Sequence, residues 1–328
     1  MKALFISCLL SFAFLAACQQ KKEVNVKVEE TGTYACPMKC EGEKVYPVAG
    51  KCPVCGMDLE PISGAAASTQ YEMRVVSIPE MIEAGKPVKL AFTPGVAGNT
   101  TQVPLDEVHE HKIHVIVVSK DLGWYDHIHP EYQADGSYVI EETFPSGGEY
   151  IIFSDYNPTG GGNQVSRSTW TVNGVSKKPE TFTTQDLSDE VDVYAVVLKP
   201  EADKFLTNNL NHMGVEVTEK GKPVTNFETV MGAKGHLVIV SGDGQKYIHV
   251  HPDEVEGKLD LHTHFEQQGI YRAFFQFQTN GKLHTSYFTL DVKEGKPGEL
   301  GTPEGHHSHG EEEGHTHDQG DKDDHKHK

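Results

Sequence analysis

The sequence has 328 residues, 37% of them hydrophobic, which suffices for packed cores and suits two or three domains better than one. It carries 29 Lys and Arg against 48 Asp and Glu, a formal net charge of -19 with histidine neutral, and such a surface excludes nucleic acid as a partner while tolerating cations. A mean hydropathy of -0.46 excludes a polytopic membrane protein.

The first 18 residues read as a targeting segment. Lys2 supplies positive charge, and residues 3–14 form an apolar run too short to span a bilayer. Leu15-Ala16-Ala17-Cys18 follows and resembles the lipobox of bacterial lipoproteins. The resemblance implies cleavage before Cys18, lipidation of that cysteine and anchorage to a membrane through its acyl chains. A secretory signal beside a chance cysteine is the alternative. Gln19, not Asp, follows the lipobox, so no inner-membrane retention signal is seen. The expected location is the cell envelope, facing the periplasm or the exterior, at the outer membrane in a diderm host.

Residues 19–32 are charged and lack a hydrophobic period, as a tether does. Residues 33–62 hold the four remaining cysteines among prolines and glycines, and 63–70 are a small-residue linker. From 71 the pattern becomes strand-like, with runs at 88–92, 113–118, 138–144, 150–153 and 168–172 separated by turn residues. A second linker covers 176–190. The pattern then restarts at 194–198, 236–240, 247–250, 270–277 and 287–292. Residues 296–328, made of Gly, Pro, His and acids, cannot bury a core and should be disordered.

The two β regions are an internal repeat. The stretch from His114 (HVIVVSKDLGWYDHIHP) aligns without a gap to that from His236 (HLVIVSGDGQKYIHVHP). Phe144, Gly148, Tyr150 and Phe153 match Phe265, Gly269, Tyr271 and Phe274 after one gap. The expected architecture is therefore mainly β: a small Cys-rich module, two tandem immunoglobulin-like β-sandwich repeats at 71–175 and 191–295, and a tail. A barrel is the alternative for each repeat.

In the Cys-rich module, Cys36 and Cys40 form one close pair and Cys52 and Cys55 another. Two turns presenting paired thiolates make a tetrahedral sulfur cage suited to Zn(II), and soft sulfur also suits Cu(I). Met38 and Met57 add thioethers, which favours copper or silver. Tyr34, Cys36-Pro37-Met38, Gly50-Lys51-Cys52-Pro53 and Cys55-Gly56-Met57, with Leu59, resemble the heavy-metal-binding domain attached to copper-efflux membrane-fusion proteins and some metal-transporting P-type ATPases. That family commonly has His-Pro after the methionine. Lys39-Cys40 stands there instead, which points to an all-cysteine site. Two structural disulfides, or a zinc that never exchanges, are the alternatives.

The repeated H-x12-H-x-H-P pattern gives two further candidate metal sets, His114, His127 and His129, and His236, His249 and His251. If Gly242 and Asp243 are the central pair of a two-residue hairpin turn, His236 faces His249 with His251 on the same face, and the first repeat follows suit. His109, His111, Asp126 and Asp155 could join the first set, and His262, His264 and His284 the second. A structural histidine-proline corner is the other reading. The second unit also resembles an uncharacterised family of secreted β-sandwich domains, which implies fold and location only. In the tail, His306, His307, His309, His315 and His317 lie among acids and form a flexible tract for divalent ions, or simply a solubilising end.

These features point to a lipoprotein that binds heavy metals (Cu(I), Cu(II) or Zn(II)), with no organic cofactor and with metal-efflux components as candidate partners. An enzyme is not expected. The β region has no cysteine for the disulfide of copper-zinc superoxide dismutase or for a blue-copper ligand, and no H-E-x-x-H occurs. A non-catalytic accessory lipoprotein with structural zinc or disulfides is the rival.

Overall fold

A computed structural model describes residues 33–36, 44–46, 49–52, 59–62, 69–99, 102–255 and 258–300. Cys18, Met38, Cys40, Cys55, Met57 and the tail histidines His306, His307, His309, His315 and His317 lie outside them. The fold is all β, with no helix among the described residues: a small Cys-rich module precedes two repeated sandwich domains.

The module is a three-stranded sheet in which Thr33–Ala35 pairs antiparallel with both Val45–Tyr46 and Glu60–Ile62. The amide of Leu59 donates to the carbonyl of Gly50 at 2.7 Å and draws the two ends of the cysteine loop together. Cys36, Cys52 and Leu59 are buried, with Tyr34 and Tyr46 packed against them.

Each repeat has two sheets. In the first, Tyr71–Ile78, Val88–Val96, Tyr138–Glu142 and Glu131–Tyr132 form one sheet. The other runs Ile82–Glu83, Gln164–Asn173, Gly148–Pro158, Ile113–Ser119 and Tyr125–Ile128. In the second repeat Phe205–Leu206, Lys282–Lys293, Gly269–Thr279, His236–Ser241 and Tyr247–Val250 reproduce that second sheet in the same order. The resemblance extends to the short first strand, which pairs parallel in both copies.

The histidine-bearing strands explain why their sequences are apolar without alternation. Ile113, Val115 and Val117 point into the core of the first sandwich with Leu90, Phe92 and Phe144. Ile116 and Val118 point the other way and are equally buried, in a separate cluster with Val238, Val240 and Phe274 of the second repeat. Successive residues of a strand face opposite sides, so a strand buried on both faces loses its polar positions. The corresponding sheets of the two repeats therefore pack on each other. Tyr125 stacks on Phe274 with ring centres 4.5 Å apart, and Tyr247 stacks on Phe153 at 4.9 Å. Gly244, at φ +67°, brings its backbone against Ile151, where a Cβ would lie 2.3 Å from that side chain, and its carbonyl accepts from Arg167 Nε at 2.7 Å.

The hairpins differ from the sequence expectation. Gly242 and Asp243 are the central pair of a tight turn, with the Gly244 amide donating to the Ser241 carbonyl at 2.7 Å, but the ladder closes further out: the Ser241 amide donates to the carbonyl of Lys246 at 3.0 Å, so four residues form the loop. The hydroxyl of Ser241 donates to Asp243 Oδ1 at 2.5 Å and also receives the Lys246 amide, and this bracing widens the loop. Ser119 and Asp121 do the same in the first repeat. Consequently His249 lies opposite Val238 and His127 opposite Ile116, not opposite His236 and His114. The shift is two residues. An even shift keeps every side chain on its face, so the histidines still converge.

Candidate metal centre

His114 and His236 sit on the face that packs between the repeats, on the same side as Ile116 and Val238. Each is anchored by a preceding tight turn. Val108 and His111 pair across His109 and Glu110, both with positive φ (50° and 68°), and Val230 and Ala233 pair likewise across Met231 and Gly232. Side chains at His109 and Glu110 make this conformation costly, by about 1 kcal/mol or more per residue. The turn aims the Val108 carbonyl at His114 Nε2, 3.0 Å away, and the Val230 carbonyl at His236 Nε2, 2.9 Å away.

Those contacts fix the tautomers. A carbonyl only accepts, so Nε2 carries the hydrogen in both rings, and a neutral ring then presents a bare lone pair at Nδ1. His127 is fixed the opposite way round. Its Nδ1 donates to Gln276 Oε1 at 3.0 Å, leaving the lone pair on Nε2. His114 Nδ1 and His127 Nε2 then face each other at 3.3 Å, with His129 Nε2 3.0 Å from His114 Nδ1. Only His129 can bring a hydrogen into this group. In the second repeat His236 Nδ1 lies 3.2 Å from His249 Nε2. His251 packs on both rings, and its Nε2 is buried without a hydrogen-bond partner.

Two nitrogens each about 2.05 Å from a tetrahedral ion are about 3.3 Å apart. The spacings of 3.0–3.3 Å therefore match the edges of a coordination shell. Burial holds the rings neutral. It pushes the pKa of His127 and His249 well below the usual imidazole value, with neighbouring imidazoles adding to the effect. His236 is lowered to about 4 and His129 to about 2 from the same two causes, although the Val230 carbonyl partly offsets the effect at His236. Neutral imidazole is the form that ligates.

The partners behind the rings are exchanged between repeats. Gln276, in the second, accepts from His127 Nδ1 and from the hydroxyl of Tyr125 at 3.3 Å, both in the first. Asp155, in the first, lies 3.6 Å from His249 Nδ1 and accepts from the Tyr247 hydroxyl at 3.3 Å, both in the second. Asp155 and Gln276 hold equivalent places, directly opposite His114 and His236 in their own sheets.

All six repeat histidines are thus brought to one junction, and His109 and His111 join them. The His111 ring stacks on His129 at 3.9 Å and the His109 ring lies 3.8 Å from His251. A cavity of about 590 Å³ opens beside them, lined among others by His109, His249, His251, Asp155 and His264. Three residues that sequence reasoning attached to these sets, His262, His284 and Asp126, lie elsewhere. His284 projects to the opposite face, where Nδ1 meets Asp192 at 2.7 Å and the ring stacks on Phe277. Asp126 is paired with Glu142, away from the rings. His212 was missed. It lies opposite His262, ring centres 5.9 Å apart, on a strand whose alternation of Asn211, Met213, Val215 and Val217 could have revealed it.

The model of a domain of unknown function, DUF8832, matches residues 67–174 and again 189–294, about two thirds of the chain. The chain belongs to this family. The model of the heavy metal binding domain matches residues 33–62, so the Cys-rich module is one that binds heavy-metal ions. No curated protein matches. Among solved structures, the chain is similar to the Escherichia coli adhesin FdeC, at 14% identity and a TM-score of 0.24, with 73% of this chain and 71% of that one covered. It is also similar to the Yersinia pseudotuberculosis adhesin InvE (11%, TM-score 0.23, 70% and 62% covered). A third is the alpha-2-macroglobulin of Escherichia coli (12%, TM-score 0.25), of which the chain spans 20% while 69% of its own length is covered.

In the module, the buried Cys36 and Cys52 come one from each sequence pair, as a shared site requires. The protein thus presents two donor chemistries, sulfur near the N-terminus and imidazole between the repeats.

Proposed function

We propose that this protein is an envelope lipoprotein, anchored through Cys18, that binds soft and borderline heavy-metal ions for sequestration, resistance or delivery to an efflux system, and that it is not an enzyme. Copper is the preferred cargo and zinc the next. Thiolates at Cys36, Cys40, Cys52 and Cys55, with Met38 and Met57 nearby, suit Cu(I), while imidazole suits Cu(II) and Zn(II). The observation that carries the reading is the convergence of His114 Nδ1, His127 Nε2 and His129 Nε2, with the other nitrogens of His114 and His127 tied as donors. Two lone pairs at 3.3 Å repel each other unless a cation lies between them. The tail histidines would add weak capture that fails as the pH drops below about 6.5.

The test is metal analysis of the reduced chain, with Cys18 replaced, after challenge with Cu(I), Zn(II) or Ni(II). Copper retained against a competing chelator, and lost in Cys52→Ser with Cys55→Ser, is the expected result. A second reading has its own observation. Cys36 and Cys52 are the core of a unit about thirty residues long, and units that small need a staple. Inert zinc, independent of challenge and released only on unfolding, would make the module structural and the protein an accessory lipoprotein.

A further inference from the structure

The sequence assigns three histidines to each repeat, as if each held its own ion. The geometry contains another combination. Donor nitrogens of His127, His236 and His249 also lie within 4.8 Å of one another, and this group takes one ring from the first repeat and two from the second. The His127 ring centre is 5.4 Å from that of His236 and 5.4 Å from that of His249. We propose that the junction holds a composite cation site made by His127 of one repeat with His236 and His249 of the other, which takes a divalent transition metal such as Zn(II) or Cu(II) and clamps the repeats together. The proposal rests on the metal-binding reading above for the class of ligand, but not for the crossing of the interface.

Three features favour the composite group. The first is the outer partners. Ligating histidines are oriented by an acceptor on the far nitrogen. Here the acceptor for His127 is Gln276 of the second repeat, and the carboxylate facing His249 is Asp155 of the first. Neither ring is held correctly unless the repeats are docked. The second is charge. Asp155 is a half-buried carboxylate beside His249 and offers the negative charge that a desolvated cation needs. The third is access. The cavity that exposes His249 and Asp155 lets an ion arrive without separation of the sheets.

His127 also belongs to the group with His114 and His129. With its Nδ1 hydrogen on Gln276, it has one lone pair to give, at Nε2. An ion held through His127 therefore occupies one group or the other, and the two are alternative positions for a single ion. An ion in the composite position binds only the docked arrangement, so by mass action it stabilises docking.

The experiment is a Zn(II) titration of the full chain with labelled histidine rings, read by ring-nitrogen NMR shifts, which separate the junction from the thiolates and the tail. In the unaltered protein Zn(II) should shift His127, His236 and His249 together. His127→Ala should weaken the response of His236 and His249, which belong to the other repeat, by more than about 10-fold. An unchanged response of those two rings would overturn the composite site while leaving metal binding intact. Should His127→Ala fail to fold, Gln276→Ala keeps every donor and should weaken the same response. If no junction ring shifts although Zn(II) is taken up elsewhere on the chain, the imidazole part of the functional reading fails with it.

Discussion

In the first repeat the second histidine of the motif, His127, rests on the neutral amide of Gln276, whereas in the second repeat its counterpart, His249, faces the carboxylate of Asp155. The turn before the first histidine differs too: His109 and His111 stand where the second repeat has Met231 and Ala233. The donors themselves are the same in both copies. Duplication preserved the donors and the strands that aim them, and divergence acted on the surroundings, where it placed a carboxylate behind one triad and extra imidazoles over both. The comparison teaches that the surroundings of two equivalent donor sets can be made unequal without altering a donor.

The comparison breaks most severely if the interface is emptied. Phe274→Ala removes a fully buried ring stacked on Tyr125 and should cost about 3–5 kcal/mol, measured by urea unfolding. Phe153→Ala, its counterpart against Tyr247, should cost a similar amount. A loss below about 1 kcal/mol in both would mean that the repeats do not depend on each other.

Asp155→Asn sharpens the comparison by making both partners amides. It should weaken Zn(II) binding at His249 by about 10- to 100-fold, read in the same ring-nitrogen titration. Gln276→Ala should act at His127 and less strongly, because it withdraws no charge.

Acid tests both copies at once. The unfolded histidines titrate near 6.5, while burial lowers folded His236 and His264 to about 4 and His129 to about 2. Between these values the unfolded chain binds more protons than the folded one. Their contribution is present above about pH 6.5 and is lost as the pH falls toward 4. Asp155, Asp126 and Glu142, raised by burial, run the other way, but they stand against a larger set of imidazoles in which His114, His127, His249 and His251 are lowered as well. The metal-free protein should therefore show a lower urea midpoint at pH 5 than at pH 7.5, and an equal or higher midpoint would contradict this.

The smallest effect is expected at the rim. Lys120 pairs with Glu149 in one repeat and Lys246 with Glu266 in the other, all four side chains largely exposed. Removing either pair should change stability by no more than about 0.5 kcal/mol.

How much of this was legible depended on distance along the chain. The strand runs were readable because turn residues punctuate them, and the repeat because Ser119 and Asp121 recur as Ser241 and Asp243, where they brace the hairpin. That same bracing defeated the register, since a two-residue turn and a braced four-residue loop share the Ser-Gly-Asp-Gly pattern. The convergence of His114, His127 and His129 survived because parity alone decides the face. The crossing was not readable. Gln276 reaches His127 over 149 residues, and nothing local marks Asp155 as the partner of the other repeat's histidine. A continuous apolar run such as 113–118 says that both faces are covered but not by what.

The exchanged contacts have a further consequence. Tyr125 meets Phe274 as Tyr247 meets Phe153, and Gln276 serves His127 as Asp155 serves His249. Residue i of one copy touches residue j of the other, and j of the first touches i of the second, which is the signature of an isologous dimer. The single chain is built as two subunits tied end to end. Covalent joining frees such a pair from concentration and from self-matching: once the halves are encoded separately, each can change without its twin.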